Sequence, residues 1–130
     1  MRYLTAEELL FIHARVIAEA GGSHGVRGLN LLEAVVARPK ATFEGKELHE
    51  GVFNKAAVLM QAIISSHPFL DGNKRTGVAS TSLFLLRNGW RLSAPANELE
   101  EMAVRVTVEK VQIAELANWL RSHSKRMRSA

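Results

Sequence analysis

The amino-acid sequence predicts an all-α fold, one compact single-domain bundle of about six helices. Three observations lead there. Apolar residues recur at helical spacing along most of the chain. Helix caps and stops interrupt those stripes. Strand patterns are scarce, and the β-branched run Val104-Arg105-Val106-Thr107-Val108 is the one helical stretch weakly signalled. With 130 residues the chain suits one domain and is short for two. It contains no repeats, linkers or low-complexity segments.

The elements follow in order. Thr5-Ala6-Glu7-Glu8 is a capping box, with Thr5 as N-cap and Glu8 reaching back from N3. Leu9, Ile12, His13, Val16, Ile17 and Ala20 then share helical spacing until Gly21-Gly22 stops the helix. SHGVRG reads as loop, and Asn30 as the cap of a short helix through LLEAVVAR that Pro39 ends. Residues 39–50, PKATFEGKELHE, lack periodicity and read as a loop or flap. From about Val52 a second long helix runs to Ser66, with Phe53, Ala56, Ala57, Met60, Ile63 and Ile64 in one stripe. Pro68 pushes the residue before it out of the α region, so this helix ends near His67. Asn73 starts the next, NKRTGVASTSLFLLRN, which Gly89 closes. A fifth helix begins near Ala96 or Asn97, with three glutamates early enough to complement its dipole. A sixth runs from about Gln112 to His123.

Composition excludes several function classes. The chain has no cysteine, so disulfides, thiolate catalysis and cysteine-ligated zinc are ruled out. MRYLTAEELL lacks a signal pattern, and no apolar run approaches the ~18 residues of a membrane span, so the expected location is cytoplasmic, without membrane contact. The net charge of +4 is concentrated: residues 121–130 hold four basic residues and no acidic ones, leaving 13 of each elsewhere. The basicity thus belongs to a solvated, frayed C-terminal tail, and no direct, specific nucleic-acid binding is expected.

Residues 65–77, SSHPFLDGNKRTG, gather the polar chemistry. Asp71, the sole aspartate, lies between two apolar helices beside Lys74 and Arg75. Unpaired charge is costly to bury at such a junction. The first turn of the following helix presents free backbone N–H groups that, with the dipole, attract an anion. Gly72 lets backbone approach that anion, and the Arg75 fork suits phosphate oxygens. Magnesium commonly accompanies nucleotide phosphates and accepts one carboxylate, which Asp71 can supply. A histidine can accept a proton near neutral pH, and four residues separate His67 from Asp71. Base, metal ligand and phosphate clamp are then all present for phosphoryl or nucleotidyl transfer. Each residue also has a plain structural reading. His67 falls on the Phe53, Met60, Ile64 stripe, Asp71-Gly72 is a common turn pair, and the two cations can be solvated.

HPFLDGNKRTG resembles the signature of the Fic/Doc family, His-x-Phe-x-(Asp/Glu)-(Gly/Ala)-Asn-x-(Arg/Lys). The likeness extends to LTAEELLFIH, AGG with its GVR loop, LLEAVVARP and FLLRNGW, and looks closest to the Doc (death-on-curing) toxins. Gly28 and Asn30 depart from the Doc pattern, which commonly has aspartate and glycine there. The resemblance implies a Fic/Doc catalytic domain over residues 1–123, which leaves residues 124–130 as the basic C-terminal tail that the charge pattern marks. It implies ATP and Mg2+ as cofactors, with His67 as general base and Asp71 as magnesium ligand. Gly72, Asn73, Lys74 and Arg75 would bind phosphates, with Lys74 and Arg75 counted with the catalytic set, and Phe69 would anchor the loop. Fic enzymes carry glycine at the Lys74 position and transfer AMP, whereas Doc proteins carry lysine and transfer the γ-phosphate. The implied target is a threonine of elongation factor Tu, and the implied antitoxin is Phd-type, docking by helix-in-groove recognition on a monomeric toxin. The first helix and the 39–50 flap are the expected groove walls.

Overall fold

The structure is a computed structural model and describes residues 1–128. Six α-helices carry the fold: α1 Ala6–Ala20, α2 Leu29–Ala37, α3 Val52–Ser66, α4 Asn73–Arg87, α5 Ala96–Glu109 and α6 Ile113–Ser122. Two small antiparallel ladders complete it, β1 Thr42–Phe43 with β2 Lys46–Glu47, and β3 Trp90–Leu92 with β4 Ser124–Arg126. No described helix is long and apolar enough to cross a membrane.

Helix α3 is the central element, packed against α2, α4, α5 and α6. The sequence stripe predicts one buried face, but α3 is buried nearly all round, with Val58, Leu59, Ala62 and even Lys55 joining the six stripe residues. Helix α4 meets it through small and hydroxyl-bearing side chains, Thr76, Gly77, Ser80 and Thr81. A Cβ added at Gly77 would lie 2.9 Å from Ile64 Cγ1, so the absence of a side chain there sets the closeness of the crossing.

Several boundaries depart from the sequence reading. Thr5 and Glu8 do form both bonds of the capping box. Asn30, however, lies inside the first turn of α2, whose N-cap is Gly28, and Pro39 ends that helix by way of a 3₁₀ turn over Arg38–Lys40. The flap is a hairpin fastened from beneath: the fully buried Lys55 ammonium donates to the Pro39 carbonyl at 3.1 Å and pairs with Glu47 at 3.2 Å. Burial, with Arg38 and Lys55 nearby, holds the His49 imidazole below its usual range. Helix α5 runs unbroken through the β-branched stretch because Val106 is buried on its inner face. The tail is ordered where it is described. Ser124–Arg126 pairs with β3, and Arg126 lies over the Trp90 ring at 5.4 Å, a cation–π contact that three-residue sequence patterns do not signal.

Candidate active site

The site forms where α3 ends and α4 begins. Pro68 denies His67 the α conformation, and His67 takes the left-handed one instead (φ 49°, ψ 60°). A non-glycine residue is strained there by about 1 kcal/mol, and neighbours hold it. The Arg27 guanidinium donates to the carbonyls of Ser66 (3.4 Å) and His67 (3.1 Å), closing the orphaned end of α3. Arg27 N–H donates to the Pro68 carbonyl at 2.8 Å, Leu70 N–H to that of Gly25 at 3.1 Å, and Val26 bridges to Phe69. The SHGVRG loop thus splints the polar loop as a short irregular ladder.

Two buried groups fix the loop from inside. Phe69 is buried and stacks on His13, ring centroids 3.8 Å apart and planes 2° from parallel. Asn73 turns inward: its Oδ1 accepts the Phe69 N–H at 3.1 Å and its Nδ2 donates to the Phe69 carbonyl at 2.9 Å. The family resemblance implies a phosphate role for Asn73. The amide is engaged in bracing the loop, leaving its backbone N–H as the group available to an anion. His67 is exposed and off the apolar stripe, so it is not a core histidine; its Nδ1 lies 3.5 Å from Asn73 Nδ2, the outer limit of a hydrogen bond.

Asp71 is exposed and held at three points. Its carbonyl accepts from His13 Nε2 at 2.8 Å, Oδ1 from Gly72 N–H at 2.8 Å and Oδ2 from Ser23 N–H at 3.1 Å. Gly72 is the N-cap of α4 in the left-handed region (φ 77°), the conformation its missing Cβ permits. Intrahelical bonding begins with Thr76 N–H to the Gly72 carbonyl at 2.9 Å, so the N–H groups of Asn73, Lys74 and Arg75 are the open first-turn donors. Lys74 and Arg75 are exposed there, and no salt bridge among the described residues engages them. A cleft of about 380 Å³ opens at this point, lined by Asp71–Arg75, Gly21–Gly22, Val16 and Ala20.

The structure therefore brings together Asp71, Gly72, Asn73, Lys74 and Arg75 around one cleft, while His67 stands beside it, linked through Asn73. A larger, shallower depression of about 500 Å³ along α5 gathers Glu100 and Glu101 with an Arg105 already bound to Glu109 and Glu115. It offers no comparable chemistry. Three residues behind the site escaped the sequence reading of function: His13, Arg27 and Ser23. Only His13 left a signal, a lone histidine on an apolar helical stripe. Among the described residues no three His, Cys, Asp or Glu side chains cluster as a metal cage, so a cation here would rest on Asp71 and a ligand's own oxygens. That donor set fits magnesium carried with phosphates.

The α3–α4 junction thus exposes a left-handed histidine, one carboxylate and a cationic helix start, the arrangement expected from the Fic/Doc resemblance. The Fic/DOC family model matches residues 3–85, and the chain belongs to that family. Two similar proteins are Doc proteins. It is 31% identical over 121 residues to the protein kinase doc of Escherichia phage P1, covering 93% of this chain and 94% of that one. It is 45% identical over 74 residues to the toxin Doc of Mycolicibacterium smegmatis, covering 57% of each.

Proposed function

We propose that the protein is the toxin of a bacterial toxin–antitoxin pair, acting as a protein kinase that transfers the γ-phosphate of ATP to a hydroxyl on a target protein. One observation carries this reading: two unpaired cations stand at the positive end of α4, beside three open N–H donors and a lone carboxylate. Cations there oppose the helix dipole by a few tenths of a kcal/mol, a cost that a bound polyanion reverses.

In the transfer, the target hydroxyl oxygen bonds to the γ-phosphorus as the bond to the β–γ bridging oxygen breaks, and ADP departs. His67 takes the hydroxyl proton. Lys74, Arg75 and the first-turn N–H groups hold the phosphates and offset charge that spreads over their oxygens. Magnesium, held by Asp71, would supply further neutralisation of the phosphates. Lysine at position 74 supports γ-phosphate over AMP transfer by family likeness, since AMP-transferring Fic enzymes carry glycine there. The target, by family likeness, is a threonine of elongation factor Tu. The partner is a Phd-type antitoxin whose helix lies in a groove. Phe11 on α1 and Phe43 and Leu48 around the hairpin are exposed apolar side chains for such a contact.

Incubation with γ-labelled or α-labelled ATP and a bacterial lysate tests the reading. Label from the γ position is expected on one protein, and mass spectrometry of elongation factor Tu should show added phosphate. Label from the α position alone would overturn kinase activity in favour of AMP transfer. Nucleotide binding without any transfer would make the protein a binding module. His67→Ala should lower transfer about 10²–10⁴-fold with the fold kept.

A further inference from the structure

We infer that His13 is a positioning residue that aims the Asp71 carboxylate, an assignment that rests on the phosphotransfer reading for its effect on turnover. His13 lies 58 residues from Asp71 in sequence, is 4% exposed, and belongs to α1, whereas Asp71 lies in the loop between α3 and α4. A carbonyl oxygen accepts only, so the 2.8 Å contact fixes the proton on Nε2. The ring's other constraint is its parallel stack on Phe69, which leaves it no freedom to turn away. His13 therefore fixes the peptide that follows Asp71, and with it the Gly72 N–H that meets Asp71 Oδ1. The same carboxylate reaches Ser23 N–H through Oδ2, so its orientation depends on a loop pinned at both faces. Outer groups of this kind commonly change metal affinity 10–100-fold without touching the ion.

Two variants separate bond from bulk. His13→Phe keeps the stack on Phe69 and removes the donor; His13→Gln removes the ring and keeps an N–H at comparable reach. The first readout is the amide-proton chemical shifts of Ser23 and Gly72, which report their bonds to the carboxylate and need no turnover. The second is the magnesium concentration for half-maximal transfer from ATP. Expected for His13→Phe are moved Ser23 and Gly72 shifts and a magnesium requirement raised about 10–100-fold, with His13→Gln close to wild type in both. Wild-type shifts and magnesium dependence in His13→Phe would overturn the inference. So would a His13→Gln variant that moves both readouts as far as His13→Phe. If His13→Phe does not fold, moved shifts in a folded His13→Gln overturn the inference and unmoved shifts uphold it. A wild-type protein that transfers no phosphate would sink the functional reading, while the shift comparison would still decide the role of His13.

Discussion

At the scale of single residues, the site depends on side chains whose polar atoms are spent on the loop backbone. Asn73 satisfies both backbone groups of the buried Phe69, so Asn73→Ala strands a donor and an acceptor away from water. Equilibrium urea unfolding should show a loss of about 1–3 kcal/mol, larger than a surface substitution gives. A value near zero would mean that water replaces the amide. The sequence displayed the exposed chemistry, because His67, Asp71, Lys74 and Arg75 fall within nine residues and their types are costly to gather without purpose. It did not show that the Asn73 amide braces Phe69, since one amide can serve an anion or a loop and only packing decides. It did not reveal what His13 and Arg27 do, whose partners lie about 40 to 60 residues away.

At the scale of elements, the hairpin is fastened by one buried ammonium. Lys55 is 1% exposed and its partner Glu47 is 54% exposed, so the two halves of this pair are not equivalent. Removing Glu47 leaves a buried charge with the Pro39 carbonyl and the face of the Tyr3 ring, 5.7 Å away, but no counter-ion, whereas replacing Lys55 by methionine removes the charge and keeps much of the volume. Glu47→Ala should therefore destabilise the fold more than Lys55→Met, by about 1 kcal/mol or more in thermal unfolding. Lys55→Met should instead speed amide exchange in residues 41–47 while leaving α3 protected. The reverse order of stabilities would show that the pair is solvent-screened. Helices were legible here because capping boxes, proline stops and long stripes are local signals. The ladders were not: two- and three-residue strands have no period to read, and Lys55 sits on α3 as a lysine that composition places outside.

At the scale of the whole molecule, the ends of the fold are tied together. Glu8, at the start of α1, pairs with Arg87, at the end of α4. The Arg87 guanidinium, helped by the Thr5 N–H, lowers the Glu8 carboxyl from 4.5 to about 2 against the opposing effect of burial. A depressed carboxylate stabilises the fold fully above its unfolded value and loses that contribution as pH falls from about 4.5 toward 2. Because both groups are partly exposed, the effect is about 1 kcal/mol. Glu8→Gln, which keeps the capping-box geometry, should narrow the difference between urea midpoints at pH 7 and pH 3. An unchanged difference would assign the acid sensitivity elsewhere. The same corner receives both ends of the described chain: Arg2 N–H donates to Asn88 Oδ1 at 2.9 Å, and Met127 N–H to the Gly89 carbonyl at 2.9 Å. Helix α4 has 15 residues, which sets that corner roughly 22 Å from its N-terminal cradle. A fluorophore, affinity handle or surface tether joined near residue 2 or 127 would accordingly set out from the distal side, leaving the α3–α4 junction unobstructed.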